Sequence, residues 1–289
     1  MSERISPAFS PRVVGWAARH VVVHGRRMVY REAGSGPAMV FLHGIGSASS
    51  SWQMLVSLLA GGHRTIAWDA PGYGDSEALP GHKPMAAQYA QALHGLLHTL
   101  GVTRCVLVGH SLGALIASAY ANAHPERVQA LLMADPAQGY GSLSEQEREA
   151  VRLRRLKLFS DLGPEGYADQ RVGALLHPEA SQDARALARE ALRRLQPEGF
   201  AQANWMLAND DIWNYLPVPV PTSVMCGEDD AITTPHEVGQ LARRLGVPCN
   251  LLPRAGHASY LDAPVAFAAA VLEGARLFEG MDTTMERAR

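Results

Sequence analysis

The chain has 289 residues, 47% of them hydrophobic and 19% charged, with a formal net charge of -2. That is ample apolar material for a large buried core and too little charge for a disordered chain, and the balanced charge lacks the footprint of a nucleic-acid binder or a protein held on an anionic membrane. The length exceeds the usual single domain but suits one α/β core carrying an insertion, and a small molecule is the expected partner.

The N-terminal stretch is interrupted by Pro7, Pro11 and charged side chains, so it lacks the continuous apolar segment of a signal peptide. No stretch approaches the roughly 18 apolar residues of a membrane span, and the expected compartment is the cytoplasm. Short apolar runs then predict strands at His20 to His24, Met28 to Glu32, Met39 to Leu42, Thr65 to Trp68, Cys105 to Val108 and Val128 to Met133. Most are apolar throughout, as expected of parallel strands covered on both faces. Between them the periodicity predicts helices at Trp52 to Leu59, Ala86 to Leu100 and Leu112 to Ala123, the last stopped by Pro125.

From residue 136 to 216 strand-like runs vanish, and charged helical stretches appear at Ser144 to Leu162 and Ala180 to Leu195. The expected organisation is therefore a first part of the core at 1–135, a helical cap at 136–216 and a second part of the core at 217–289. Strands resume at Thr222 to Cys226 and Val247 to Leu252, with helices near His236 to Leu245 and Pro264 to Phe278, before a polar tail from Gly280. The three cysteines, Cys105, Cys226 and Cys249, sit in or beside strand-like runs and read as core residues, with neither disulfide nor zinc spacing.

The most informative segment is Gly109-His110-Ser111-Leu112-Gly113, a G-x-S-x-G motif placed between a predicted strand and a predicted helix. That context is the one in which a tight turn lifts a nucleophilic serine above a sheet while small flanking residues let strand and helix pass closely. The turn also aims the Leu112 amide at the position where negative charge develops. Leu42-His43-Gly44-Ile45-Gly46 follows the third strand and supplies the Ile45 amide as the second oxyanion donor, with His43 bracing the loop.

Twelve histidines compete for the role of base, and His257 fits best, because it lies on a loop after the last strand. Asp230, in Gly227-Glu228-Asp229-Asp230, is the expected acid, with Asp229 and Asp135 as alternatives. His110 is expected to pack or hydrogen-bond beneath the site. In the cap, Phe159, Trp205, Met206 and Trp213 are the expected apolar lining of a substrate pocket.

Taken together, His43 to Gly46, Asp69 to Ser76, Gly109 to Gly113, His124 to Val128, Gly227 to Asp230 and Gly256-His257 resemble landmarks of the α/β-hydrolase superfamily over nearly the whole chain, from His20 to Phe278. The resemblance is to capped bacterial esterases and 3-oxoadipate enol-lactonases. It implies an eight-stranded, mostly parallel sheet, a helical lid and a Ser-Asp-His triad. The expected activity is cofactor-free and metal-free hydrolysis of an ester or lactone with a largely apolar acyl group. Alternatives are a C-C bond hydrolase of aromatic ring-cleavage products, a perhydrolase or haloperoxidase, and a ligand receptor on a hydrolase scaffold. The C-C hydrolases typically carry Asn before the nucleophile and Trp after the histidine, where this chain has His110 and Ala258.

Overall fold

A computed structural model describes residues 16–286, so the segment before Trp16 and the last three residues lie outside the described residues. Its strands are β1 (Ala18–Val23), β2 (Arg26–Ala33), β3 (Ala38–Leu42), β4 (Arg64–Trp68), β5 (Cys105–His110), β6 (Val128–Ala134), β7 (Thr222–Gly227) and β8 (Cys249–Leu252). They form one sheet in the order β1-β2-β4-β3-β5-β6-β7-β8. β2 runs antiparallel to β1 and β4, and the other neighbouring pairs are parallel. All eight sit where the apolar runs predict them. In β5 every residue is buried, which is why its sequence shows no alternation.

The helices are α1 (Gln53–Leu59), α2 (Ala86–Thr99), α3 (Leu112–Ala123), α4 (Glu145–Leu175), α5 (Gln182–Arg193), α6 (Pro197–Asn209), α7 (Pro235–Leu245), α8 (Ser259–Asp262) and α9 (Pro264–Glu286). Successive strand residues point to opposite sheet faces, and each face has its own helix layer. Val40, Leu107 and Met133 pack with Leu93 of α2, Leu115 of α3 and Leu241 of α7. Phe41, Val108 and Leu132 pack with Leu55 of α1, Tyr260 of α8 and Phe267 of α9.

Three α-helices and a short 3-10 turn at Ile212–Asn214 separate β6 from β7. Helix α4 begins with a reciprocal cap in which the Ser144 hydroxyl accepts from the Glu147 amide. The expected helix end at Leu162 is a bend instead of a stop: Gly163 adopts φ 65°, and Pro164 starts a second helical stretch that runs to Leu175. Helix α6 was not expected from the sequence. Its Gln202 side chain donates to the carbonyls of Leu79 and Gly81, and the Leu79 amide donates to its Oε1, which ties this helix to the loop after β4. The end from Gly280 is also helical as far as Glu286, where a tail was expected.

Candidate active site

The carboxyl ends of β3, β5, β7 and β8 bring four loops together. At the end of β5 the chain turns through Ser111, whose φ of 52° and ψ of -119° lie in a region costing a non-glycine residue about 1–3 kcal/mol. The turn is possible because its neighbours lack side chains. A Cβ on Gly109 would lie 2.4 Å from the Gly113 carbonyl oxygen, and one on Gly113 would lie 2.2 Å from that of Leu42. The Ser111 amide donates to the Ala134 carbonyl at 2.9 Å, and the Ser111 carbonyl accepts from the Ala114 and Ala137 amides, so the strained residue is held from three sides.

His257 follows β8 and reaches Ser111 with Nε2 at 2.9 Å from Oγ. On its other side Nδ1 lies 2.9 Å from Asp230 Oδ2. A carboxylate only accepts, so Nδ1 carries the proton and donates, leaving Nε2 to accept from the serine hydroxyl. Asp230 is buried, which opposes its charge. The His257 ring, the Thr233 hydroxyl at 2.7 Å and the Ile232 amide at 2.7 Å outweigh that and hold its carboxyl below the ordinary range.

The other two acids face elsewhere. Asp229 is half exposed and lies 3.5 Å from His177 Nε2, in the segment after α4. Asp135 is fully buried, where it accepts from the Gly227 amide at 2.7 Å and from the Ser259 hydroxyl. Burial pushes its carboxyl up to about 7. The structure therefore brings Asp230, not Asp229 or Asp135, to the His257 ring.

The remaining loop carries Ile45. His43 accepts from the Ala70 amide at Nε2, 3.0 Å, so its Nδ1 donates to the Gly44 carbonyl at 2.8 Å. Tyr73 donates its hydroxyl to the Ile45 carbonyl at 2.9 Å. The loop passes so close to the nucleophile that a Cβ on Gly44 would lie 2.9 Å from the Ser111 Cβ. Among the described residues, no protein acceptor pairs with the Ile45 or the Leu112 amide. His110 donates from Nε2 to the His257 carbonyl at 2.7 Å, and burial drives its ring down to about 3, so it stays neutral and braces the histidine loop. Asp262 adds a second brace: its Oδ2 accepts from the amides of Gly256 and His177, tying the His257 loop to the end of α4.

A profile of the Alpha/beta hydrolase family matches residues 39–270. The chain belongs to that family. It is similar to the 2-hydroxy-6-oxononadienedioate/2-hydroxy-6-oxononatrienedioate hydrolase of Comamonas testosteroni, 26% identical over 248 residues that make up 80% of this chain and 85% of that one. Among solved structures it is similar to a thermophilic esterase from Thermogutta terrifontis, with 25% identity, a TM-score of 0.80, and coverage of 91% of this chain and 99% of the esterase. It shares its fold with the enol-lactonase from Burkholderia xenovorans LB400, at 24% identity and a TM-score of 0.77 over 89% of this chain and 99% of the lactonase. Its match to an uncharacterized Mycobacterium bovis protein, 35% identical over 139 residues, spans 48% of this chain but only 39% of that longer one.

Ser111 and His257 line a cavity of about 540 Å³ whose wall includes Leu158, Tyr167 and Leu175 of α4. Its lining differs from the apolar set expected. Trp213 is part of it, whereas Phe159 packs against Phe200 and Tyr167 with ring centroids 4.8 and 5.4 Å away, and Met206 is fully buried in the core. Trp205 faces cations outside the cavity, with Lys83 Nζ 4.6 Å from its ring centroid. The lining includes Arg154, Arg155 and Arg171 instead, and Tyr140 and Tyr167 beside them.

One further group of metal-ligand types exists: Asp135, Cys226 and Asp230 place ligand atoms within 4.8 Å of one another. Their donor set does not fit an ion. Both carboxylates are engaged as described, and the Cys226 thiol has the Gly227 and Thr233 carbonyls as alternative acceptors for its one proton while burial pushes its pKa up, away from the thiolate a metal needs. All three cysteines are free. Among the described residues no helix is long and apolar enough to cross a membrane.

Proposed function

We propose that the chain is a serine hydrolase that cleaves a carboxylic ester or lactone through an acyl-enzyme. The observation that carries this reading is the unbroken hydrogen-bonded line from Ser111 Oγ through His257 to Asp230, at the wall of a cavity large enough for a small acyl group. In this reading His257 Nε2 takes the Ser111 proton as Oγ attacks the carbonyl, and Asp230 holds the tautomer and balances the imidazolium. The Ile45 and Leu112 amides receive the oxyanion, each contributing about 3 kcal/mol of barrier lowering. His257 then returns the proton to the leaving alcohol, and water repeats the sequence to free the acid. Residues 136–216, which hold α4 to α6, act as the lid that shapes the cavity.

A second reading, C-C bond hydrolysis, has specific support in the Comamonas relative, which shares most of the chain's length. A panel of aryl esters, enol-lactones and vinylogous diketones, run on the native chain and on Ser111→Ala, separates the two. Turnover of esters or lactones that disappears in Ser111→Ala supports the first reading. Turnover confined to the diketones would replace it with the second.

A further inference from the structure

On its α4 side the cavity carries positive charge that, among the described residues, no carboxylate pairs with. Arg154 and Arg155 extend from α4 before its bend and Arg171 after it, and all three line the space that Ser111 opens into. Other arginines of this region have carboxylate partners: Arg152 binds Glu149, Arg189 binds Asp169 and Glu165, and Arg193 binds Glu190 and Glu165. Among the described residues the three cavity arginines form no ion pair with a carboxylate. Arg155 is also short of hydrogen bonds, since Nη2 reaches only the Tyr140 hydroxyl at a long 3.4 Å and the solvent-shielded Nη1 has no partner. Its guanidinium lies 5.4 Å from the Tyr140 ring centroid, which orients the plane. Tyr167 is in contact with Arg171 and close to Arg155.

Two carboxylates line the same cavity, and both are committed locally. Asp211 accepts from the Trp213 amide at 2.9 Å, and Glu237 closes the cap of α7 by accepting from the Thr234 amide and hydroxyl. The unmatched groups on this side of the cavity are therefore planar guanidinium cations, the side chains that recognise a carboxylate most readily.

We propose that the cavity takes an acyl group bearing a carboxylate of its own, with the scissile carbonyl at Ser111 and the remote carboxylate held by Arg155 together with Arg154 and Arg171. The substrate class is the half-ester or lactone of a short dicarboxylic acid, in place of the largely apolar acyl group the sequence suggests. The inference rests on the proposed ester or lactone hydrolysis. The charged end would be bound in the ground state and the transition state alike, so it sets which substrate is chosen and how deeply it seats.

The test compares monomethyl and dimethyl esters of succinate, glutarate and adipate in a pH-stat, which keeps the acyl skeleton constant and changes only its charge. The native chain is expected to favour one of the monomethyl esters over its diester at least tenfold in kcat/KM. That ratio should fall at least tenfold in Arg155→Gln and recover in part in Arg155→Lys. Equal use of both esters by the native chain, or an Arg155→Gln change that leaves the ratio where it was, overturns the proposal while leaving ester hydrolysis intact. If no ester is cleaved, the hydrolytic reading fails separately. Calorimetry with glutarate and adipate on Ser111→Ala then decides the anion site: saturable binding lost in Arg155→Gln supports it, and no binding overturns it.

Discussion

Replacing Asp230 with Asn changes one atom and should remove almost all activity, for a reason fixed by the surrounding hydrogen bonds. Oδ1 of Asp230 accepts from the Ile232 and Thr233 amides at 2.7 and 3.1 Å. The amide oxygen of Asn must stay in that place, since turning it away leaves two backbone donors facing an NH2 group. Its Nδ2 then takes the position of Oδ2, 2.9 Å from His257 Nδ1. A donor there obliges Nδ1 to accept, so the ring proton moves to Nε2 and points at Ser111 Oγ, 2.9 Å away. The ring can no longer take the serine proton. The same tautomer error in a serine protease lowers kcat by about 10⁴, which is about 5.5 kcal/mol of barrier. Steady-state hydrolysis of p-nitrophenyl butyrate by Asp230→Asn, with histidine ¹⁵N spectra to report the tautomer, measures both links. A kcat within tenfold of native, or a ring proton still on Nδ1, would refute the reasoning.

Other substitutions probe the surroundings. Thr233→Val removes the hydroxyl that donates to Asp230 Oδ2 at 2.7 Å, so kcat should fall about tenfold, the worth of one such hydrogen bond; an unchanged kcat would show that the acid needs no such support. Asp135 keeps its proton to about pH 7 when folded, whereas an unfolded aspartate loses it near 3.9. Stability should therefore fall as pH rises from about 4 to about 7, with about 4 kcal/mol as the upper limit from this group. Asp135→Asn should flatten that slope in urea titrations, and parallel slopes for the two chains would contradict the burial argument. Gly113→Ala places a methyl group 2.2 Å from the Leu42 carbonyl oxygen, so it should destabilise the turn and abolish ester turnover; a stable, active variant would mean that the strand and helix can separate. Met206→Ala should cost about 2–5 kcal/mol of stability yet leave KM for small esters within threefold, as expected of a fully buried core residue; a selective rise in KM would return Met206 to the cavity wall.

The sheet was legible because its strands from β3 onward are short apolar runs bounded by turn residues, and buried strands need no alternation to be recognised. The serine turn was legible for a related reason: Gly109 and Gly113 stand where close passage leaves no room for a Cβ. The cap was harder to read. An apolar helix face looks the same in sequence whether it turns to a cavity or to the core, and Phe159 and Met206 turn to the core. Adjacent arginines on a charged helix read as a solvated face, yet Arg155 is turned towards the cavity while Arg152 pairs with Glu149. Helix α6 was missed although Pro197 marks its first turn, because what holds it is tertiary. Its Gly199 lies so close to Gly72 that a Cβ there would come within 1.9 Å of the Gly72 carbonyl oxygen. Asp262 was likewise invisible, since its role depends on His177, far away in sequence, whereas Thr233 lies only three residues from the Asp230 carboxylate it supports and could have been read from that spacing.

The most direct measurement is covalent labelling with a fluorophosphonate followed by peptide mass spectrometry. One adduct per chain on Ser111, absent from Ser111→Ala and strongly slowed in His257→Ala, is the expected result, because only a serine already hydrogen-bonded to a base attacks the phosphorus quickly. An unlabelled native chain, or an adduct on another residue with Ser111 intact, would contradict the account.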